Sequence, residues 1–181
     1  MWQEWYFFPS QLVNCIKIVE DETRKDSEIE GYFIFNGEEI KDNYFPIVVD
    51  KDYSDVDDIL TALILVHEIT HVQQYLDTIN GIDSLSCIDK EVQTFSAQLK
   101  YYGFQNDETR KSMDYRLEHD DELHPQLKLI KSISQSGVIP SIYSTGCMDE
   151  SAEPDCLKNI ELNRIKEILL QDDYYVRQCK V

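Results

Sequence analysis

Two histidines and a glutamate in segment 63–76, LILVHEITHVQQYL, have a spacing that suits metal-assisted hydrolysis. His67, Glu68 and His71 form the pattern H-E-x-x-H. On a helix, side chains four residues apart share one face and are about 40° out of register, so both imidazoles can reach one metal ion. The glutamate beside the first histidine then points at a water on that metal, for which it is a general base.

The residues around this pattern predict a buried helix over 54–80. Apolar residues form two of its sides, and a helix of that kind lies inside a core rather than on the surface. The remaining polar strip is narrow and comprises Thr70, Gln73, Gln74 and Asp77. Asn80-Gly81 is a stop signal at the end of the helix. Buried imidazole and carboxylate groups need partners; a metal ion supplies one, and hydrogen-bonded core histidines are the alternative.

A catalytic zinc site takes three protein ligands, so the pattern needs one more. Asp77 lies six residues after His71, but on a continuing helix its side chain points about 240° away. Glu91 lies in segment 87–104, where apolar residues recur on one helical stripe, and it falls at the edge of that stripe. A carboxylate that faces a core needs a partner. We therefore predict His67, His71 and Glu91 as the metal ligands; Asp77 as the third ligand, or Glu91 as a surface residue, are the alternatives.

These residues resemble the gluzincin metallopeptidases in the motif HEITH, the turn at Asn80-Gly81 and Glu91 on a second helix, twenty residues after His71. The resemblance covers residues 55–102 of 181. It implies that His67, His71 and Glu91 bind Zn2+ and that Glu68 is the general base of peptide-bond hydrolysis. It also implies an α+β, zincin-like fold, in which a small antiparallel or mixed sheet packs on a buried HExxH helix and an edge strand receives an extended peptide.

The sequence departs from the thermolysin-like members in the residue that supports the histidines. Those members carry an aspartate four residues after the glutamate ligand, where this chain has Phe95, so the supporting group must come from elsewhere. A further donor usually stabilises the oxyanion, and no motif identifies it here; the candidates are His119, His124, Tyr101 and Tyr102. The alternative function is a non-catalytic or self-inhibited zincin-scaffold protein that binds zinc and a protein partner.

Length and composition predict one domain that spans residues 1–181. Residues 1–50 are expected to be mostly strands, and the turn signal Asn36-Gly37 follows a strand over 31–35. Pro46 predicts that the strand over 44–49 lies at a sheet edge, where a peptide substrate would add. The part from 107 to 181 is expected to be mainly helical, with helices over 107–118, 125–133 and 155–171.

The net charge of −18 disfavours nucleic acid and anionic membranes as partners, because both require basic patches. No run of apolar residues is long enough to predict a membrane span. The expected partner is a peptide or protein substrate, and no feature indicates an oligomeric state.

The cysteines form no C-x-x-C pair, which excludes a zinc ribbon. They are Cys15, Cys87, Cys147, Cys156 and Cys179. The odd count predicts reduced thiols and a cytoplasmic location; the alternative is export with a leader removed, in which Cys147 and Cys156 could form a disulfide. Cys87 lies one turn before Glu91 and is predicted as a small buried side chain, the alternative being a thiolate that blocks the metal.

Overall fold

A small mixed sheet and six helices make up the part of the chain that the structure, a computed structural model, describes. That part comprises residues 16–21, 31–34, 44–50, 58–82, 84–119, 125–135 and 156–181. The strands are β1 (Ile16–Asp21), β2 (Gly31–Phe33) and β3 (Phe45–Asp50). The helices are α1 (Asp58–Ile79), α2 (Cys87–Phe104), α3 (Asp107–His119), α4 (Pro125–Gln135), α5 (Cys156–Leu169) and α6 (Asp173–Cys179). The predicted α+β class is confirmed.

β3 is the central strand of the sheet, whose order is β1-β3-β2. It runs parallel to β1 and antiparallel to β2. The prediction that Pro46 makes 44–49 an edge strand is therefore wrong. Pro46 lies just beyond the last pair with β2, Phe33 opposite Ile47, and its carbonyl accepts a hydrogen bond from the N–H of Ile34 at 3.1 Å. Because proline has no N–H, at most one hydrogen bond is lost, at the end of the ladder between β2 and β3.

α1 lies between the sheet and the other helices, because it is apolar on two sides. One side joins a core formed with α2 to α6, through Leu60, Leu63 and Ile64. The other side packs on β2 and β3, and Val72 is its fully buried member. The predicted buried helix is therefore confirmed. Its C-terminal end is confirmed as well, since Gly81 adopts a φ of 67° and the N–H of Ile82 donates to the carbonyl of Asp77 at 2.8 Å.

The helices after α1 follow the predicted positions up to the C-terminal region. α2 begins and ends at the predicted residues, and the side chain of Ser86 caps its N-terminus by accepting from the N–H of Asp89. The predicted last helix over 155–171 ends at Leu169, and a separate α6 follows that the sequence did not predict. Asp172 caps α6 by accepting from the N–H groups of Tyr174 and Tyr175.

Several predictions lie outside the described residues: the strand content of 1–15, the turn at Asn36-Gly37, and the roles considered for His124 and Cys147. Among the described helices, none combines the length and the apolar character that a membrane crossing requires. The extent of the domain over 1–181 stays a prediction.

Gly31 lies where β2 approaches α1, and its replacement tests this packing. A Cβ at Gly31 would lie 2.6 Å from Cγ2 of Ile64 and 3.0 Å from the carbonyl oxygen of Val48. We expect Gly31→Ala to lower the free energy of unfolding by about 1–3 kcal/mol, measured by urea denaturation, because the sheet or helix must shift. The control is Gly103→Ala in α2, where no heavy atom lies within 4 Å of the added Cβ. That variant should unfold at the wild-type urea concentration or above it, and equal losses in both would contradict the packing.

Candidate metal centre

Helices α1 and α2 bring the three predicted ligands into one cluster. Oε2 of Glu91 lies 3.3 Å from Nε2 of His67, and Oε1 lies 3.6 Å from Nε2 of His71. The potential ligand atoms of the three residues lie within 4.8 Å of one another. Asp77, the alternative third ligand, is not part of this group, and its carboxylate accepts a hydrogen bond from Nε2 of Gln73 at 2.7 Å.

A glutamine two turns after Glu91 fixes the ring of His67. Nε2 of Gln98 donates to the carbonyl of Leu63 at 2.9 Å, so its Oε1 is the atom 3.2 Å from Nδ1 of His67. Nδ1 of the neutral ring therefore carries the proton, and Nε2 presents its lone pair to Glu91. Gln98 is fully buried, so this hydrogen bond is shielded from water.

Gln74 fixes the second histidine in the same way. Its Nε2 donates to the carbonyl of Lys90 at 2.9 Å, and its Oε1 accepts from Nδ1 of His71 at 2.9 Å. The prediction that Gln74 belongs to a polar strip is wrong, because it is only 5% exposed. Together with Gln98, it provides the support that an aspartate at the position of Phe95 would otherwise provide.

The donor atoms of this cluster fit a divalent metal ion. Two imidazole lone pairs face a carboxylate, and such an arrangement is repulsive without a cation between them. Oε2 of Glu91 is buried and has no hydrogen-bond partner among the described residues. Ligand atoms about 2.1 Å from a tetrahedral ion lie about 3.4 Å apart. The two oxygens of Glu91 lie at similar distances from the rings, Oε2 at 3.3 Å from His67 and Oε1 at 3.6 Å from His71, and one potential ligand atom from each residue lies within 4.8 Å of the others.

The pKa shifts of the three candidate ligands also indicate that one positive charge between them is favoured. Burial lowers the pKa of His67, but the contact with Glu91 and the charge of Glu68 outweigh burial and raise the pKa above its ordinary value. Burial raises the pKa of Glu91, and the facing His67 outweighs it and lowers the pKa overall. Burial and the charge of His67 lower the pKa of His71 to about 4. A proton on His67 or a metal ion would each supply the favoured charge.

Glu68 lies next to the ligands and is held by the sheet. It is 4% exposed, and burial raises its pKa to about 7, with the charge of His67 opposing the rise and that of Glu91 adding to it. The backbone of Phe33 in β2 hydrogen-bonds to its carboxylate. A carboxyl group with a pKa near neutrality is suited to accept a proton and return it.

His67, Glu68, His71 and Glu91 line a cavity of about 680 Å³. β2 provides one part of the lining and α6 another. The residues from these elements are Gly31, Tyr32, Phe33, Tyr174, Tyr175 and Gln178. The cavity therefore gives a ligand access to the cluster between the sheet and the C-terminal helix.

The donors predicted for the oxyanion lie elsewhere. Tyr101, Tyr102 and His119 are not part of the cavity lining. The hydroxyl of Tyr102 donates to Asp114 at 2.7 Å, and the ring of His119 stacks on Tyr115. The tyrosines of α6 line the cavity instead. The signal that could have located them is the helix cap at Asp172, two residues before the first of two adjacent tyrosines.

The cysteines differ from the prediction of reduced thiols. Cys87 is exposed rather than buried, and it forms a disulfide with Cys179, with a Cα–Cα distance of 5.4 Å. The alternative of a blocking thiolate at Cys87 is therefore wrong as well. Cys156 is also disulfide-bonded. The cellular location stays a prediction.

No family model, curated protein or solved structure matches this chain. The case for a metal centre thus depends on the geometry of its own residues.

Removal of the carboxylate tests the ligand set. We expect Glu91→Ala to lose most of its metal, because two neutral imidazoles remain and the third donor is gone. The measurement is zinc content by elemental analysis after saturation with zinc and gel filtration. Asp77→Asn is the matched control and should keep about one zinc per chain. Equal zinc in wild type and Glu91→Ala would overturn the assignment.

The glutamines that hold the histidine rings should tune metal affinity. We expect Gln98→Leu and Gln74→Leu each to weaken zinc binding by about 10–100-fold, because the rings lose the acceptor that fixes their tautomer. Competition with a chromophoric chelator measures the affinity. Gln73→Leu, one residue away but bonded to Asp77, is the control and should bind zinc as wild type does; a matching loss in that variant would argue for a general effect on α1.

Proposed function

We propose that this chain is a zinc-dependent, gluzincin-like metallopeptidase that hydrolyses peptide bonds with Glu68 as general base. The observation that carries the proposal is the cluster of His67, His71 and Glu91, with Glu68 beside it, in the lining of one cavity. A buried structural metal would have no use for a base next to its ligands. The exposure of the cluster to a cavity likewise suits a site that admits a substrate.

Zinc is the metal that suits this donor set. Two imidazoles and one carboxylate are a common ligand set of catalytic zinc, and three protein ligands leave one position open. Zinc bound there supplies Lewis-acid polarisation of a substrate carbonyl and lowers the pKa of water. The zincin-like fold is part of the proposal, and it is supported by a sheet packed on the HExxH helix and a glutamate on the following helix.

Side chains of the protein position the ligands and transfer the proton. Gln98 and Gln74 hold the two histidine rings, so the ligand atoms stay in place while substrate enters. Glu68 accepts the proton of the attacking water as the new C–O bond forms. It then gives that proton to the amine nitrogen as the C–N bond breaks, which leaves a carboxylic acid and an amine. Burial of Glu68 favours this exchange because its pKa of about 7 makes both steps accessible.

β2 is the strand that we propose to contact the substrate, in place of the strand over 44–49. It lies at one edge of the sheet among the described strands and lines the cavity with Gly31, Tyr32 and Phe33. Backbone groups at a strand edge can pair with an extended peptide. The aromatic ring of Tyr32, which is only partly buried, offers apolar area for its side chains.

Replacement of the base tests the proposed reaction. We expect Glu68→Gln to bind one zinc per chain and to lose peptide hydrolysis by at least about 10²-fold, since the amide cannot take a proton. A fluorogenic peptide library, with zinc content measured on the same samples, provides the readout. Glu118→Gln, an exposed residue of α3, is the control and should keep wild-type activity.

The same experiment separates the peptidase from the alternative scaffold protein. Zinc in both proteins with no hydrolysis in either would contradict the peptidase and support a non-catalytic or self-inhibited zincin scaffold. Full hydrolysis by Glu68→Gln would remove Glu68 from the mechanism.

A further inference from the structure

A lysine lies in the cavity lining beside the candidate ligands. Among the described residues that line the cavity, Lys90 is the only lysine or arginine. It directly precedes Glu91 on α2, and its carbonyl accepts the hydrogen bond from Nε2 of Gln74 at 2.9 Å. Cys87, Lys90 and Glu91 all line the cavity, as expected for positions three and four residues apart on one face of a helix. The face of α2 that carries the candidate ligand therefore carries an ammonium group as well.

The carboxylates next to Lys90 in the sequence contact other groups. Oδ1 of Asp89 lies 2.7 Å from Nζ of Lys166. Both oxygens of Glu91 face the histidine rings. Within the described part of the chain, the Lys90 ammonium forms no ion pair and no side-chain hydrogen bond. It is therefore available to an anionic group that enters the cavity.

The cavity extends from the candidate ligands to a solvent-exposed rim. Thr78 of α1, Cys87 of α2 and Gln178 of α6 line the cavity and are exposed. The Cys87–Cys179 disulfide joins the start of α2 to the end of α6, with the two Cα atoms 5.4 Å apart. Lys90 is half-buried and lies one turn after Cys87, between this rim and the candidate ligands. A substrate that runs from the rim to the ligands therefore passes Lys90.

The charges of the lining favour an anionic group beside Lys90. The two positive charges of a divalent ion would offset the carboxylates of Glu68 and Glu91, so the ammonium would leave the lining net positive. The chain has a net charge of −18, and a positive cavity is where an anionic part of a substrate would be favoured. A carboxylate suits this position, because its hydrogen bonds with an ammonium are charge-assisted and a half-buried pair is screened less by salt.

We propose that Lys90 binds a carboxylate of the substrate, so that the protein acts on peptides with an acidic side chain or a free C-terminus near the scissile bond. The proposal rests on the proposed peptidase function and adds a substrate class to it. Because Lys90 is next to Glu91 and an extended peptide rises about 3.3 Å per residue, the carboxylate would lie within about two residues of the scissile bond. Lys90 determines specificity and takes no part in the proton transfer by Glu68.

The test varies the substrate carboxylate and the lysine charge together. The substrate is the library peptide that zinc-loaded wild type cleaves best, made with glutamate or glutamine at each of the two positions on either side of the scissile bond. A second set ends one or two residues after that bond, with a free C-terminus or a C-terminal amide. The proteins are wild type, Lys90→Met and Lys90→Glu. Lys100→Met and Lys100→Glu are the matched controls, because Lys100 is exposed on the same helix and is not part of the cavity lining.

Binding is measured separately from catalysis. Each protein is assayed for zinc content and for kcat and KM on every peptide. Affinity for the same peptides is measured by fluorescence anisotropy in zinc-loaded proteins that also carry Glu68→Gln, so that no peptide is cleaved during the titration.

We expect wild type to cleave the carboxylate peptide of at least one pair with a KM about 10- to 100-fold below that of its neutral partner. The kcat should change little, because the contact is the same in the ground state and the transition state. The pair that shows the preference identifies a side chain or the C-terminus as the source of the carboxylate. Lys90→Met should lose the preference and Lys90→Glu should reverse it, with wild-type zinc content in both. The Lys100 variants should keep the preference.

The opposite results overturn the proposal in distinguishable ways. Equal KM and equal affinity within every pair would remove Lys90 from substrate selection while the peptidase function stands. A preference that survives in Lys90→Met would belong to another residue, and its loss in Lys100→Met as well would show an effect of overall charge. Loss of zinc in Lys90→Met would show that Lys90 supports the metal ligands instead. A zinc-loaded wild type that cleaves no library peptide would overturn both this proposal and the proposed function.

Discussion

Two buried glutamine amides are the constraint on which the site depends. Each amide donates to a backbone carbonyl, and this leaves its oxygen to accept from Nδ1 of one histidine. In the neutral rings, the lone pairs of both Nε2 atoms then point towards Glu91, whose Oε2 lies 3.3 Å from Nε2 of His67 and accepts no hydrogen bond from the described residues. Because Gln98 and Gln74 are both buried, their hydrogen bonds to Nδ1 favour this orientation of the two rings. A proton on His67 or a metal ion between the three side chains would resolve the repulsion between these lone pairs and the carboxylate, so the cluster is a group that could hold a metal ion.

The sequence was sufficient to predict the three candidate ligands and the glutamate beside them. His67 and His71 are brought together by helical spacing alone, and Glu91 could be identified because an acidic residue at the edge of an apolar stripe needs a partner. Both helices that carry these residues were predicted from apolar periodicity, and α2 has the predicted bounds. The helical spacing of the histidines and the apolar stripe beside Glu91 are local features, because each depends on residues within a few turns of each other.

Features that depend on distant contacts could not be predicted. Gln74 was assigned to a polar strip because an amide is polar, and only the neighbouring carbonyl of Lys90 explains its burial. α6 has seven residues, too few for a periodic pattern, and its position comes from a disulfide to a cysteine 92 residues away. Pro46 predicts an edge strand from its missing N–H, but the end of a ladder tolerates that loss equally well.

The order of strands in the sheet constrains how the protein folds during synthesis. β3 is the last of the described strands in chain order, yet β1 and β2 both pair with it and it lies between them. A nascent chain that ends before residue 45 has no central strand on which to assemble the other two. Since α1 begins soon after β3, the sheet and the helix with both histidines become available almost together, whereas Glu91 leaves the ribosome later. A metal ion bound at this cluster would therefore complete folding rather than nucleate it, and the sheet should already be present in the metal-free protein.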